Sequence, residues 1–484
     1  MYKWLHLSSI AELDELKKHI SPEFAPEAVA KKLADGLSDA VKAVLIESDY
    51  VDKDYRSTYY NFYAKKGLHY RADCIRLHFF DETISFDDKS LRLSCSDATD
   101  VLTHHYFGYM VLRPTGLATI GRSVLSPHVR RGACKYIVTA SHKVHLLGHT
   151  LTIQGFPAME QHIDISVCAH SACWSILRHY SERHSTYREF LTHDITMMAQ
   201  EFNPGGLIPS RGLGLSHAER IFQEAGTFPV IVARDYADPD DVSFYRQLAA
   251  YVDSGFPLFA AMHNKGHAMD VVGYDWRQPL NTGVPGLRYS WDEIESLAVV
   301  DDNHLPYLPI PARGGSYSAE DIDAFIVALP EKVFYPADAV DELAPTLFKL
   351  GTVIGLPPND QTIIRYFITT ASAFRRFVRR HESEFDHNLV KTIMTLPFAQ
   401  FLWIVEFSTE SQWGAYQVAA RAVIDATASL LEPNPLWLFH GTTEALIFTR
   451  EMVSADPNSG VGLLSMSGTG HTAFTRMDEN LRQL

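Results

Sequence analysis

A chain of 484 residues is longer than one compact core sustains, so two or three domains are expected, and 46% hydrophobic against 21% charged residues is the balance of an ordered globular protein. Forty-three Lys and Arg against 58 Asp and Glu leave a net charge of −15, which argues against non-specific binding to nucleic acid or to an anionic membrane. No run of 18 apolar residues occurs, and the opening MYKWLHLSSIAELDELKK has no apolar centre, so neither a transmembrane helix nor a secretory signal is expected.

In chain order, residues 9–45 read as helices, with Ser9 as a cap and Pro22 and Pro26 at helix starts. From about 67 to 155 the text turns to short aromatic and β-branched runs, CIRLHFF, YFGYMVLRP, KYIVTA and HTLTIQGF, broken by Gly, Pro, Asp or Asn. The stretch SVCAHSACWSILRHY then carries Ala172, Cys173, Ile176, Leu177 and Tyr180 at helical spacing. LSHAERIFQEAG reads as a second helix, with a capping box from Ser216 to Glu219 and Gly226 as its stop. Strands follow in PVIVAR, PLFAAM, HAMDVVGYD, LAVVDD and IDAFIVALP, and PARGGSYS with the segment Pro330 to Pro336 suggests a boundary. Beyond it, TIIRYFITTASAFRRFVRRH and LVKTIMTLPFAQF read as helices and LWIVEFS, ARAVIDATAS and LWLFHGT as strands. The last ~30 residues, rich in Ser, Gly and Thr, are expected to be partly mobile. The fold class is α+β, in three regions: 1–150, 151–335 and 336–484.

The cysteines are Cys74, Cys95, Cys134, Cys168 and Cys173, an odd and irregularly spaced set that points to free thiols in a reducing cytoplasm rather than to disulfides. A thiol attacks a carbonyl as thiolate, which a helix N-terminus and a neighbouring histidine both favour. Cys168 stands where the helix should begin, after Asp164 and Ser166 as candidate caps, whereas Cys173 lies more than a turn inside it. The candidate base is His267, opening the strand HAMDVVGYD, with Gly266 before it allowing close approach and Gly273 ending the strand. A group that orients the imidazole is expected at the end of the next strand, where Asp301, Asp302 and Asn303 follow LAVV without the sequence choosing among them. Gln161, seven residues before Cys168, is a candidate oxyanion donor.

Over residues ~155–330 this order resembles the papain-like cysteine peptidase superfamily, and most closely the bacterial branch typified by leader peptidases of bacteriocin exporters, whose nucleophile segment is similar to C-A-H-S-A-C-W-S-I-L from Cys168. The resemblance implies Cys168 as nucleophile, His267 as base, Asp301 or Asp302 as orienter and Gln161 as oxyanion donor. Two positions depart from it: Ala169 stands where the branch has Gly, and Gln161 is one residue further from the cysteine. Cys173-Trp174 also imitates the Cys-Trp pair of papain, which keeps Cys173 as an alternative nucleophile.

Other signals have plainer readings. His142, His145 and His149 fall in strand-like text that alternates faces, His104-His105 are adjacent, and no HExxH or paired CxxC spacing occurs, so no metal is expected. No glycine loop has phosphate-binding spacing, so no cofactor is expected. GLIPSRGLG reads as a loop edging a substrate cleft. Arg375-Arg376 and Arg379-Arg380 read as a solvated helix face, and His170 as exposed or packing. The expectation is a cysteine-dependent hydrolase acting on a peptide or isopeptide bond of a peptide or protein substrate, with no nucleic acid or membrane partner. Two alternatives stay open: a transglutaminase-like acyltransferase and an inactive papain-like scaffold. The long flanks also leave room for a regulatory protein partner.

Overall fold

The computed structural model describes residues 2–7, 13–82, 97–162, 168–199, 213–237, 242–277, 287–330, 332–356, 361–432, 434–448, 460–467 and 470–483. Ser9, Cys95, Asp164, Ser166 and all but the last two residues of the stretch GLIPSRGLG lie outside them.

Three large sheets organise these residues into a mixed α/β architecture. The first is antiparallel, in the order Tyr2–His6, Ala43–Tyr50, Cys74–Phe80, Tyr106–Leu112, Ile120–Leu125, His149–Ala158, Ala140–Leu146. The second, central sheet runs Leu308–Pro311, Ile294–Val300, His267–Trp276, Leu258–Met262, Ala324–Leu329, Phe228–Ala233. The third begins with Leu287–Tyr289, parallel to Thr362–Thr370, and continues antiparallel through Phe401–Thr409, Ala420–Asp425, Leu436–His440, Glu444–Phe448 and Val461–Ser465. The sheets trade strands across the expected boundaries. Tyr136–Ile137 pairs with the central strand His267–Trp276, and Arg482–Gln483 pairs with Tyr136–Ile137 in turn.

The central sheet is covered on both faces, which is why its strands read as nearly unbroken apolar runs. Ala268, Val272, Ala298, Val300, Ile326 and Ala328 meet Cys173, Ile176 and Leu177 of the helix Cys168–Arg183. The alternate residues Met269, Val271, Val299 and Val327 join a core with the helices Ser243–Asp253 and Ala337–Leu350 and with Tyr366 and Trp403 of the third sheet. Each wholly buried aliphatic side chain here contributes about 1.5–3 kcal/mol relative to exposure.

Several local expectations change. Pro22 and Pro26 do open helical segments, but helix in residues 13–45 is limited to Asp14–Lys17, a 3₁₀ turn at Pro22–Phe24 and Pro26–Gly36. The helix Leu215–Glu224 is started by Gly214, whose N–H donates to His217 Nδ1 at 3.1 Å, so Ser216 lies inside the helix rather than capping it. Thr362–Thr370 is a strand, and only Ala371–Arg380 of that predicted helix is helical. Eight of its nine residues are buried, so no alternation marked it, and its internal Arg365 is buried in an ion cluster rather than exposed on a helix face. PARGGSYS lies within the central region, between Leu308–Pro311 and Ala324–Leu329. The described part of the tail is built in: Phe474, Arg476 and Met477 are buried.

Candidate active site

Cys168 is the first residue of the helix Cys168–Arg183 and is half-buried. The helix is fixed along its length. Trp174 Nε1 donates to Asp54 Oδ1 at 3.0 Å and Arg178 Nη2 bonds both Asp54 oxygens at 3.1 and 3.2 Å, tying it to the helix Lys53–Asn61 of the first region. Tyr180 donates to the Ala328 carbonyl at 2.7 Å at the other end.

Across from Cys168 stands His267, the first residue of its strand, 14% exposed at the side chain. Gly266 before it takes φ +57°, and a side chain there would meet nothing, so the glycine serves the left-handed turn rather than close approach. Gly273 does not end the strand, which runs to Trp276. It sits at an irregularity where the Tyr136 carbonyl approaches too closely for any Cβ.

His267 and Cys168 are hydrogen-bonded neighbours, and His267 Nε2 lies 3.2 Å from Asp301 Oδ1 and 3.9 Å from Asp302 Oδ1. His267 Nε2 is in ion-pair contact with Asp301 without its N–H pointing straight at the carboxylate. Burial alone would lower the pKa of His267, but Asp301 and the Cys168 sulfur together raise it to about 10.

The two aspartates differ in how they are held. Asp301 accepts from Tyr317 Oη at 2.5 Å and from the Asn303 N–H at 2.8 Å. Burial opposes its charge, yet His267, Tyr317 and that N–H hold its carboxyl well below the usual carboxylate range. Asp302 is pushed up to about 6, by burial first and by the Asp301 charge, while His267, Lys32 and the Gln161 N–H pull the other way. Lys32, on the helix Pro26–Gly36, donates to the Asp302 carbonyl at 3.2 Å and pairs with Glu160. Asn303 is exposed, and its side chain donates to Asp302 at 3.3 Å rather than facing the histidine.

The structure therefore brings Cys168, His267 and Asp301 together, with Asp302 beside them. Gln161 is anchored by its main chain, its N–H at Asp302 and its carbonyl 3.4 Å from Arg113 Nη2. Cys173 is not part of the group. It is wholly buried in the core with its thiol pKa raised by burial, and the tryptophan after it clamps Asp54 instead of shaping a cleft. His170 is buried.

One residue of this neighbourhood escaped sequence reasoning. Asp270 is fully buried on the same strand face as Ala268 and Val272, and among the described residues neither carboxylate oxygen has a hydrogen-bond partner. It lines a cavity of about 10 Å³ with Cys168, Ser171, Asp302 and Met159, where Ser171 Oγ and Asp302 Oδ2 are likewise unpartnered. That space suits a single water. Burial, then the Asp302 charge, raise the Asp270 pKa well above normal. The available signal was a lone acid inside the apolar run HAMDVVGYD.

Donor atoms of His267, Asp301 and Asp302 lie within 4.8 Å of one another, a spacing a divalent cation would also accept. The same contacts hold a proton on His267, which a bound cation would have to displace. Among the described residues no helix is long and apolar enough to cross a membrane. No family model, no curated protein and no solved structure matches this chain.

Proposed function

We propose that the protein is a cysteine-dependent amide hydrolase, a peptidase or isopeptidase, built on a papain-like core. The observation that carries this reading is the meeting of Cys168, at the start of a buried helix, with an imidazole whose far side faces the buried, ionised Asp301. A helix packed on an antiparallel sheet, with His267 and Asp301 at neighbouring strand ends, supports the papain-like likeness.

In this mechanism His267 takes the proton of the Cys168 thiol, and the thiolate adds to the substrate carbonyl carbon. The oxyanion of the tetrahedral intermediate is met by the Cys168 N–H and by Gln161. As the C–N bond breaks, imidazolium returns the proton to the leaving amine, and an acyl-thioester remains. His267 then deprotonates a water that attacks the thioester, releasing acid and restoring the thiol. Asp301 keeps the ring oriented and stabilises its positive form throughout. An amine in place of that water would give transglutaminase-like transfer from the same residues. The substrate would be a peptide or protein, and a working thiol requires a reducing compartment such as the cytoplasm. The inactive-scaffold alternative leaned on Ala169 and on the spacing of Gln161. Ala169 is a buried core residue, which gives its replacement of glycine a packing reason.

The test is alkylation by iodoacetamide between pH 5 and 9, read at each cysteine by mass spectrometry, on wild type and His267→Ala. Cys168 is expected to react rapidly below pH 7 and at least ~10-fold more slowly in the variant, with Cys173 unreactive while folded. A Cys168 that responds as an ordinary thiol near pKa 8.5 overturns the proposal.

A further inference from the structure

A cavity well away from Cys168 has a different chemistry from the Cys168 site. About 600 Å³ in volume, it opens between the central region and the third sheet, within the size range of small-molecule sites. It lies at the carboxyl end of the helix that begins with Cys168, fifteen residues on, or about 22 Å away at the α-helical rise.

Its lining is cationic in a chain of net charge −15. Arg183 and His184 come from the helix end, Lys332 from the segment after Ala324–Leu329, and Arg376 from the helix Ala371–Arg380. The one acidic residue of the lining, Glu479, is already held at both oxygens by Arg380, at 2.7 and 3.3 Å. Among the described residues no ion pair joins Arg183, Lys332 or Arg376 to a carboxylate. Arg183 has only a long contact to the Asn480 carbonyl at 3.5 Å, and Lys332 one to the Gln400 side chain at 3.4 Å.

The neighbouring arginines make the contrast sharper. Arg375 is committed to the Ile393 and Leu396 carbonyls and Arg380 to Glu479, while Arg376 of the same helix lines the cleft. Tyr180, Tyr187, Phe256 and Phe401 supply apolar walls beside these cations.

We propose that this cleft binds a small organic anion, a carboxylate or phosphate carrying a ring. The acid group sits among Arg183, Lys332 and Arg376 and the ring lies against the aromatic walls. Because both walls belong to different sheets, an occupant would bridge the central region and the third sheet. The inference does not depend on the chemistry assigned to Cys168.

The test is isothermal titration of the full chain at low ionic strength with adenosine 5′-monophosphate and phenyl phosphate, and with adenosine as the neutral counterpart. Saturable binding of at least one anion with Kd of about 1 mM or below is expected, together with no measurable adenosine binding. Arg376→Glu and Lys332→Glu, both exposed positions that should not disturb folding, are each expected to weaken it at least ~10-fold. Arg379→Glu, on the same helix but outside the cleft, is expected to leave it unchanged. Failure of both anions to saturate, equal binding of adenosine, or equal loss in Arg379→Glu overturns the proposal.

Discussion

Arg365 and His267 each stand in a buried nest of carboxylates, yet the two nests are finished to different degrees. Arg365 bonds Asp253 through Nε at 2.6 Å and Nη2 at 2.8 Å, and Glu406 and the Met477 carbonyl through Nη1 at 2.9 Å each; Nη2 also meets Asp478 at 3.1 Å. Its partners are occupied too. Asp253 accepts from Tyr274 at 2.7 Å, and Glu406 accepts from Arg421 at 2.8 Å and from the Met477 N–H at 3.1 Å. Around His267 the contacts are looser, and among the described residues Asp302 Oδ2, both Asp270 oxygens and Ser171 Oγ carry no partner. Around Arg365 the network is filled, with Arg421 Nη1 at its margin left without a partner among the described residues, and it rigidly joins the central helix Ser243–Asp253, the third sheet and the tail. An unsaturated one keeps hydrogen-bonding capacity for water or substrate, at a cost in stability.

The largest effect should come from opening the saturated nest. Arg365→Met leaves Asp253 and Glu406 buried without their main counter-charge and is expected to destabilise the fold by about 3–5 kcal/mol. Urea denaturation followed by fluorescence checks this. A loss below about 1 kcal/mol would mean that the cluster is not what holds the tail and third sheet to the central region.

The second effect separates the two aspartates beside His267. On the proposed hydrolase mechanism, Asp301→Asn is expected to lower kcat/KM by about 10²–10⁴, because the group that would orient the imidazole loses its charge. It should also move the alkaline limb. The imidazolium is held up to about pH 10 by Asp301 and Cys168, so removing one of those charges moves the limb down toward the free-histidine value of about 6.5. Asp302→Asn should leave kcat/KM within about threefold, because Asp302 sits 3.9 Å from Nε2 and is held by Lys32 through its carbonyl rather than its carboxylate. The reverse pattern in a pH–rate profile would make Asp302 the orienter.

How much of this could be read beforehand depended on whether a residue's role was local. Strands that alternate, such as Ala140–Leu146 with every second residue buried, and the helix from Cys168 with its apolar spacing, follow from period alone. The order Cys, His, Asp was legible for the same reason: each residue sits at the end of an element that the pattern reveals. The difference between Asp301 and Asp302 was not. It is made by Tyr317, which comes from PARGGSYS, a stretch that reads as linker. Thr362–Thr370 reads as helix because burial on both faces erases periodicity, and nothing local announces the partners of Arg365, which lie more than 40 residues away at Glu406 and more than 100 at Asp253. Trp174 imitated a catalytic neighbour because nothing local announces Asp54, 120 residues upstream.

The smallest effect concerns Asp270 and the pH dependence of stability. An acid whose folded pKa lies above its unfolded value of about 3.9 is taken up protonated on folding, so it makes the fold progressively less stable as pH rises from about 4 toward the folded pKa. Asp302, at about 6, confines its share to pH 4–6, and Asp270, raised well above the usual carboxylate range by burial and by the Asp302 charge, acts in the same direction. Asp270→Asn keeps the shape and a hydrogen-bond donor without the proton uptake. Its stability relative to wild type should therefore grow as pH rises above about 5. Activity should change little, because a protonated Asp270 beside Cys168 carries no charge to oppose the thiolate. A stability difference flat with pH would show Asp270 ionised in the fold. The 10 Å³ cavity would then have to hold a counter-charge, and the site beneath Cys168 would resemble the Arg365 nest more than it differs from it.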